Sequence, residues 1–247
     1  MTIRAIVFDL GHTLWDIAPQ PAALERAYIE LRSALVQRLG TPEVPEAAAF
    51  QRAVRDVLHE AAKTYFADGP ELREPPPHEW VGLACEQLGV EVDEELLREI
   101  APPVFATEID GLVVGAGTHE AVARLSRAGY RLGCITNTLA DTKAIRAMLR
   151  KHRFELMMGS VVVSTEEGWR KPHRSLFDRS IRELNVAPDE AVFVGDSPVH
   201  DVGGAKAAGL RAVLTRQYIE RPYPEGVPAP DAVIDHLSEL HDVVLRF

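Results

Sequence analysis

Four short stretches of the chain carry side chains that could do chemistry together. Asp9 closes the apolar run IRAIVFD, Thr136 and Asn137 close CITN, Lys171 lies in WRKPH, and Asp196 and Asp201 stand five positions apart in GDSPVHD. A carboxylate at a strand end can serve as a covalent nucleophile, forming an acyl phosphate that water later cleaves. Three carboxylates in one crevice cannot all stay ionised in a partly dry site without a counter-ion. A hard divalent cation resolves that, and Mg2+ suits a site that also handles phosphate. Lys171 could neutralise a phosphate oxygen and the attacking carboxylate together, while Thr136 and Asn137 offer a hydroxyl and an amide for phosphate oxygens. Each piece also has a plainer use. Lys171-Pro172 can be a surface turn, Asp196 and Asp201 a cap and a solvated turn residue, Thr136 and Asn137 a turn cap, and Asp9 the residue after a strand.

The elements that must position these groups follow from hydrophobic period. Ile3 to Asp9 reads as a strand buried on both faces, as in a parallel sheet. Pro21 to Leu39, Glu46 to Phe66, Trp80 to Leu88 and Asp93 to Ile100 read as helices, separated by Pro42, Pro45 and the stretch Pro70 to Pro77, with no convincing strand among them. After Gly117 helix and strand alternate: helix Thr118–Ala128 with Thr118 as N-cap, strand Tyr130–Thr136, helix Thr142–His152 and a strand within Leu156–Ser164. Next come helix Ser175–Leu184 with Ser175 as cap, strand Ala191–Val194, helix Asp201–Ala208, strands Leu210–Leu214 and Ala232–Ile234, and helix Leu237–Leu245. This βαβ rhythm predicts an α/β fold: a parallel sheet with helices on both faces and right-handed crossovers, interrupted after its first strand by a helical block. Ligands of such sheets bind beyond the carboxyl ends of the strands, where all four stretches fall.

Composition narrows the function. Acidic residues outnumber basic ones 37 to 27, for a formal charge of −10, and no Lys/Arg-dense block appears, which argues against a nucleic-acid partner. The first apolar run, Ala5 to Phe8, is too short for a signal or membrane segment, so a cytoplasmic protein without membrane contact is expected. Cys85 and Cys134 form no CxxC pair and read as buried reduced thiols. No histidine pair has ligand spacing, which makes zinc a poor candidate. Trp15 reads as core packing or as part of a substrate entrance.

In order, FDLGHTL, CITN, RKP and GDSPVHDVGGAKAAG resemble the four sequential motifs of the haloacid dehalogenase superfamily, over essentially the whole chain. The resemblance implies a Rossmann-like core from residues 1–15 and 113–247, a helical cap from residues 16–112, and Mg2+-dependent hydrolysis of a small phosphorylated substrate. It makes Asp9 the nucleophile, Thr136 a phosphate-binding hydroxyl and Lys171 the charge-neutralising cation, while Asn137 stays a candidate substrate contact by its place at the strand end. Asp9, the backbone carbonyl of Gly11, Asp196 and Asp201 become the metal site. One departure stands out. Phosphatases of this superfamily carry a second aspartate two positions after the nucleophile as acid and base, and here that position is Gly11. His12 is the candidate replacement, because imidazole as a side-chain type suits acid and base work near neutral pH; packing beneath the cap or contacting substrate is its other use. Two alternatives remain open: a metal-independent dehalogenase, which also lacks the second aspartate but has no need of the acidic pair, and a phosphate-ligand-binding regulator. Neither the substrate nor the oligomeric state is legible.

Overall fold

A computed structural model describes residues 2–63 and 72–247. Strand β1 (Ala5–Phe8) is buried at all four positions. Ile6 and Phe8 enter the core on one side of the sheet, Ala5 and Val7 the core on the other, as the two-residue period of a strand requires. The chain then forms a short strand β2 (Asp16–Ile17) and enters a helical insertion: α1 (Pro21–Leu39), α2 (Ala47–Ala62), α3 (Pro77–Gln87), α4 (Glu94–Ile100) and α5 (Pro102–Phe105). It returns through a 3-10 turn at Thr107–Asp110 and strand β3 (Leu112–Val113), which pairs antiparallel with β2. The helical block therefore does hold a strand at its edge, contrary to expectation; two residues are too few to show a period. Of the expected second helix, Tyr65 and Phe66 lie outside the described residues, as does Pro70.

The insertion has its own core. Tyr28, Leu31 and Leu35 on α1 pack with Phe50 and Val54 on α2 and Trp80 on α3, the i, i+3, i+7 stripe of an amphipathic helix. Full burial of one such Leu is worth about 1.5–3 kcal/mol. Helix α1 opens on Pro21, which needs no N–H partner there. It ends at Gly40, whose φ of 66° lets its N–H reach back to Val36.

Beyond β3 run α6 (Thr118–Arg127), β4 (Arg131–Thr136), α7 (Thr142–Lys151), β5 (Met158–Val163), α8 (Ser164–Glu167), α9 (Arg174–Glu183) and β6 (Ala191–Gly195). A π-helical turn (Pro198–Gly203), α10 (Gly204–Ala208), β7 (Arg211–Thr215), β8 (Ala232–Ile234), a 3-10 turn and α11 (Leu240–Val244) complete the chain. The six long strands form one parallel sheet in the order β5-β4-β1-β6-β7-β8. One face packs on α6, α7 and α11, the other on α9 and α10. This is the expected α/β architecture with a helical insertion. Two caps differ from expectation. Gly117 precedes α6, and the Thr118 hydroxyl instead accepts from Gln217 Nε2. His173 caps α9, its ring accepting from the N–H of Ser175.

Candidate active site

Strand order reverses at β1: the chain passes from β1 to β4 and β5 on one side, then to β6, β7 and β8 on the other. The crevice beyond the carboxyl ends of β4, β1 and β6 is where this topology makes room for a ligand. Asp9 follows β1, Thr136 ends β4, and Asp196 follows β6. The N–H of Asp9 donates to Val194 O at 2.8 Å, which fixes the first of these against the third.

Lys171 is buried and lies between two carboxylates, its Nζ 2.6 Å from Asp9 Oδ1 and 2.7 Å from Asp201 Oδ1. Thr13 Oγ1 donates to the other oxygen of Asp9 at 3.1 Å. The N–H of Ser197 donates to Asp201 Oδ2 at 2.8 Å, and the Ser197 hydroxyl accepts from the N–H of His200, so one turn holds the carboxylate and caps itself. The π-helical winding of that turn replaces the regular helix start expected at Asp201. Such turns are frequent at functional sites.

One carboxylate oxygen each from Asp9, Asp196 and Asp201 lie within 4.8 Å of one another, and all three residues are buried. The Asp9 carboxyl is raised to about 7, chiefly by burial and also by Asp201 and Asp196, against the pull of Lys171. Burial alone would lower Lys171, but Asp201 and Asp9 override it and hold the ammonium above its usual range. The cluster thus carries more negative charge than one lysine offsets. An all-oxygen set with surplus negative charge fits Mg2+.

Asn137 is used at both ends by the backbone of Lys171: its Oδ1 accepts from the lysine N–H at 2.7 Å and its Nδ2 donates to the carbonyl at 3.1 Å. It therefore positions Lys171. Thr136 is buried and lines the same cavity of about 360 Å3 as Asp9, Gly11, His12, Lys171 and the two distal aspartates. His12 has φ 56°, a left-handed conformation that His adopts more readily than most residues, and its Nδ1 lies 3.0 Å from Asp16 Oδ1. A Cβ on Gly11 would meet only Ile17 Cδ1, at 3.6 Å. Trp15 serves both expectations, being buried in the core beside Phe154 while lining the cavity. Both cysteines are free and buried.

Three contributors went unread in the sequence. Thr13 had a signal, its place four residues after Asp9. Arg221, on the segment between β7 and β8, ion-pairs with Asp196 and lines the cavity, and nothing in its local sequence marks it. Glu74 reaches from the insertion to accept from Ser164 Oγ at 3.2 Å, while its N–H donates to Gly168 O and Leu72 O accepts from the N–H of Arg170. The insertion is thereby stitched to the loop that leads into Lys171.

A family model described as haloacid dehalogenase-like hydrolase matches residues 3–209, most of the chain and every residue of the cluster. The chain belongs to that family. Among curated relatives of this hydrolase, a glyceraldehyde 3-phosphate phosphatase from Pyrococcus furiosus is 34% identical over 248 residues, covering 99% of this chain and 94% of the relative. Among solved structures, a 2-haloacid dehalogenase from Pseudomonas syringae pv. Tomato matches 99% of both chains with a TM-score of 0.66 at 25% identity. A HAD-hydrolase from Bacillus subtilis, solved bound to magnesium, shares the fold over 99% of both chains with a TM-score of 0.59 at 17% identity. Among the described residues, no helix of this hydrolase is long and apolar enough to cross a membrane.

Proposed function

We propose that this hydrolase is a Mg2+-dependent phosphatase acting on a small phosphorylated metabolite, with residues 16–112 as its cap. The observation that carries the reading is Lys171 bridging Asp9 and Asp201 inside a cluster where one oxygen each of Asp9, Asp196 and Asp201 lie within 4.8 Å of one another. Asp9, Asp196, Asp201 and the carbonyl of Gly11 would hold the cation, which when bound offsets phosphate charge and orients the phosphoryl group. A carboxylate oxygen of Asp9 attacks phosphorus, and the P–O bond to the leaving alcohol breaks. Lys171 and Thr136 hold phosphoryl oxygens. Thr13, donating to one oxygen of Asp9, aims the carboxylate.

His12 is the acid and base in this reading. With Nδ1 against Asp16, Nε2 carries the proton that moves to the departing alcohol oxygen. The neutral ring then takes a proton from the water that attacks the aspartyl phosphate, which releases inorganic phosphate and restores Asp9. The name of the Pyrococcus furiosus relative supports a phosphate monoester and puts glyceraldehyde 3-phosphate first on the panel to be assayed.

The test is phosphate release from a panel of phosphorylated metabolites, with Mg2+ and with chelator, comparing wild type with Asp9→Asn. Turnover that needs both the metal and Asp9 is expected. Chloride release from 2-haloacids in chelator would replace the reading with dehalogenation, which the absent aspartate at Gly11 and the likeness to a 2-haloacid dehalogenase favour. Tight phosphate binding with no turnover across the panel would make the protein a ligand-binding regulator.

A further inference from the structure

A second cavity, about 1020 Å3, opens beside the catalytic one and shares Ile17, Glu108, Asn137 and Thr138 with it as lining. It lies between α1, α2 and α5 of the insertion and the core segment Asn137–Leu139. Its size is at the upper end for a cavity that buries a drug-sized ligand, far beyond what a three-carbon alcohol fills. Its wall is apolar. Leu24, Leu58, Phe105 and Leu139 are only partly buried against the core of the insertion, and all four line the chamber.

Among the polar groups on this wall, two bear on the choice of ligand. Tyr28 is 4% exposed and lines the chamber, and its hydroxyl has no hydrogen-bond partner among the described residues. The hydroxyl oxygen is not sealed from the chamber, so it can donate to a ligand acceptor there. Arg52, on α2, lines the chamber with no ion-pair partner among the described residues, whereas neighbouring Arg55 pairs with Asp56. The one acidic side chain of the lining, Glu108, sits at the junction with the catalytic cavity and not among the α2 residues.

We propose that the chamber seats the leaving alcohol, and that the substrate is a phosphate monoester with an extended apolar chain ending in an anionic group. The apolar chain lies along Leu24, Leu58, Phe105 and Leu139, with Tyr28 donating to an oxygen of the ligand and Arg52 facing the anionic end. This rests on the phosphatase reading for the placement of the phosphoryl group, and it commits the site to a larger alcohol than a triose.

Equilibrium binding of phosphonates in the presence of Mg2+ tests the chamber without turnover. The probes are methylphosphonate, propylphosphonate, hexylphosphonate and 6-phosphonohexanoate. Affinity is expected to rise about 3–4-fold per methylene as the chain leaves water, and 6-phosphonohexanoate is expected to bind tighter than hexylphosphonate. Arg52→Ala should lower affinity for the carboxylated probe about two- to fivefold more than for the alkyl probe, an effect that salt weakens. Tyr28→Phe leaves the packing in place and should also weaken the carboxylated probe. Affinities that are flat or fall with chain length overturn the proposal, as does an Arg52→Ala loss equal for both probes. Hydrolysis of acetyl phosphate, a substrate too small to enter the chamber, is measured alongside. Turnover there with a flat phosphonate series removes the chamber proposal alone, while chain-length dependence without any turnover removes the phosphatase reading and leaves the chamber as a binding site.

Discussion

Gly195 ends β6 directly beneath the cluster, and adding one methyl group there should damage the site as much as removing a ligand. A Cβ on Gly195 would lie 2.3 Å from Asp201 Oδ2, 2.4 Å from its Cγ and 2.7 Å from its Cβ. The last of these atoms is fixed by the backbone of the π-helical turn, so rotating the carboxylate cannot relieve the clash. Ordinary contact begins near 3.4 Å, so Asp201 must retreat by about 1 Å. That breaks its hydrogen bonds from Lys171 Nζ and the N–H of Ser197, now 2.7 and 2.8 Å long. Hydrogen bonds to a charged group are worth about 1.5–3 kcal/mol each, and breaking a buried ion pair about 3–5 kcal/mol in all. Gly195 has no positive φ, so Ala alone would otherwise stabilise by about 0.4–1 kcal/mol through the unfolded chain. The steric term wins, and Gly195→Ala should lose roughly 2–4 kcal/mol. For a chain of this size that is a fall in Tm of about 5–15 °C, read by thermal or urea unfolding in chelator. Mg2+ affinity, read by calorimetry, should fall at least tenfold, a change of about 1.4 kcal/mol. If Gly195→Ala unfolds at or above the wild-type temperature and binds Mg2+ unchanged, Asp201 does not sit over Gly195 and the geometry of the cluster is wrong.

His12→Ala should lower kcat about 10²–10⁴-fold for alkyl phosphates, with a smaller loss for acetyl phosphate, whose leaving group needs no proton. Gly11→Asp, for which there is room, should recover part of it; equal losses on both substrates would remove His12 as the acid that protonates the leaving alcohol, and no loss on either would remove it from proton transfer altogether. Burial is the main cause that lifts the Glu74 carboxyl from 4.5 to about 7, against Arg170 and Ser164. Its folded form therefore holds the proton more tightly than the unfolded chain does, and wild-type stability falls as pH rises from about 4.5 to 7. Glu74→Gln should accordingly be more stable than wild type at pH 8, by about 1–3 kcal/mol, and no more stable near pH 4.5; urea unfolding at both values checks the sign. Mg2+ should raise the thermal midpoint, by about 2.7 kcal/mol of stabilisation at a hundredfold excess over Kd, and the gain should shrink below pH 7 because Asp9 must lose its proton first. A midpoint indifferent to Mg2+ in wild type, or an equal gain in Asp196→Asn, would count against the site.

The sheet and the four strand-end groups were legible because their signals are local. The short, branched run IRAIVF reads as an inner strand, and the rule that ligands sit beyond strand ends converts four separate motifs into one crevice. The insertion was legible from its apolar spacing alone, with Tyr28, Leu31 and Leu35 on one stripe. What escaped depends on contacts between distant segments. Arg221 meets Asp196 only because the segment after β7 folds back over β6. Asn137 looks like a ligand contact in CITN, yet the approach of the Lys171 backbone uses its amide. Thr118 and Ser175 are good capping types, but Gly117 and His173 had the geometry, since Gly117 takes φ 78° and the His173 ring reaches the second N–H. The pairing of Glu74 with the loop before Lys171 spans the two halves of the molecule and leaves no periodic trace.

The antiparallel pairing of Asp16–Ile17 with Leu112–Val113 ties both crossings between core and insertion into a single neck. To the sheet, everything beyond that neck is one closed excursion whose ends already touch. The entropy of closing such an excursion grows only logarithmically, about 0.6 kcal/mol for each doubling of its length. An added helix or a resized chamber would thus leave the foldability of the phosphate-handling half almost untouched. Evolution, or an engineer, can reshape the insertion while the acidic cluster stays as it is, so long as the four residues of the neck keep their register.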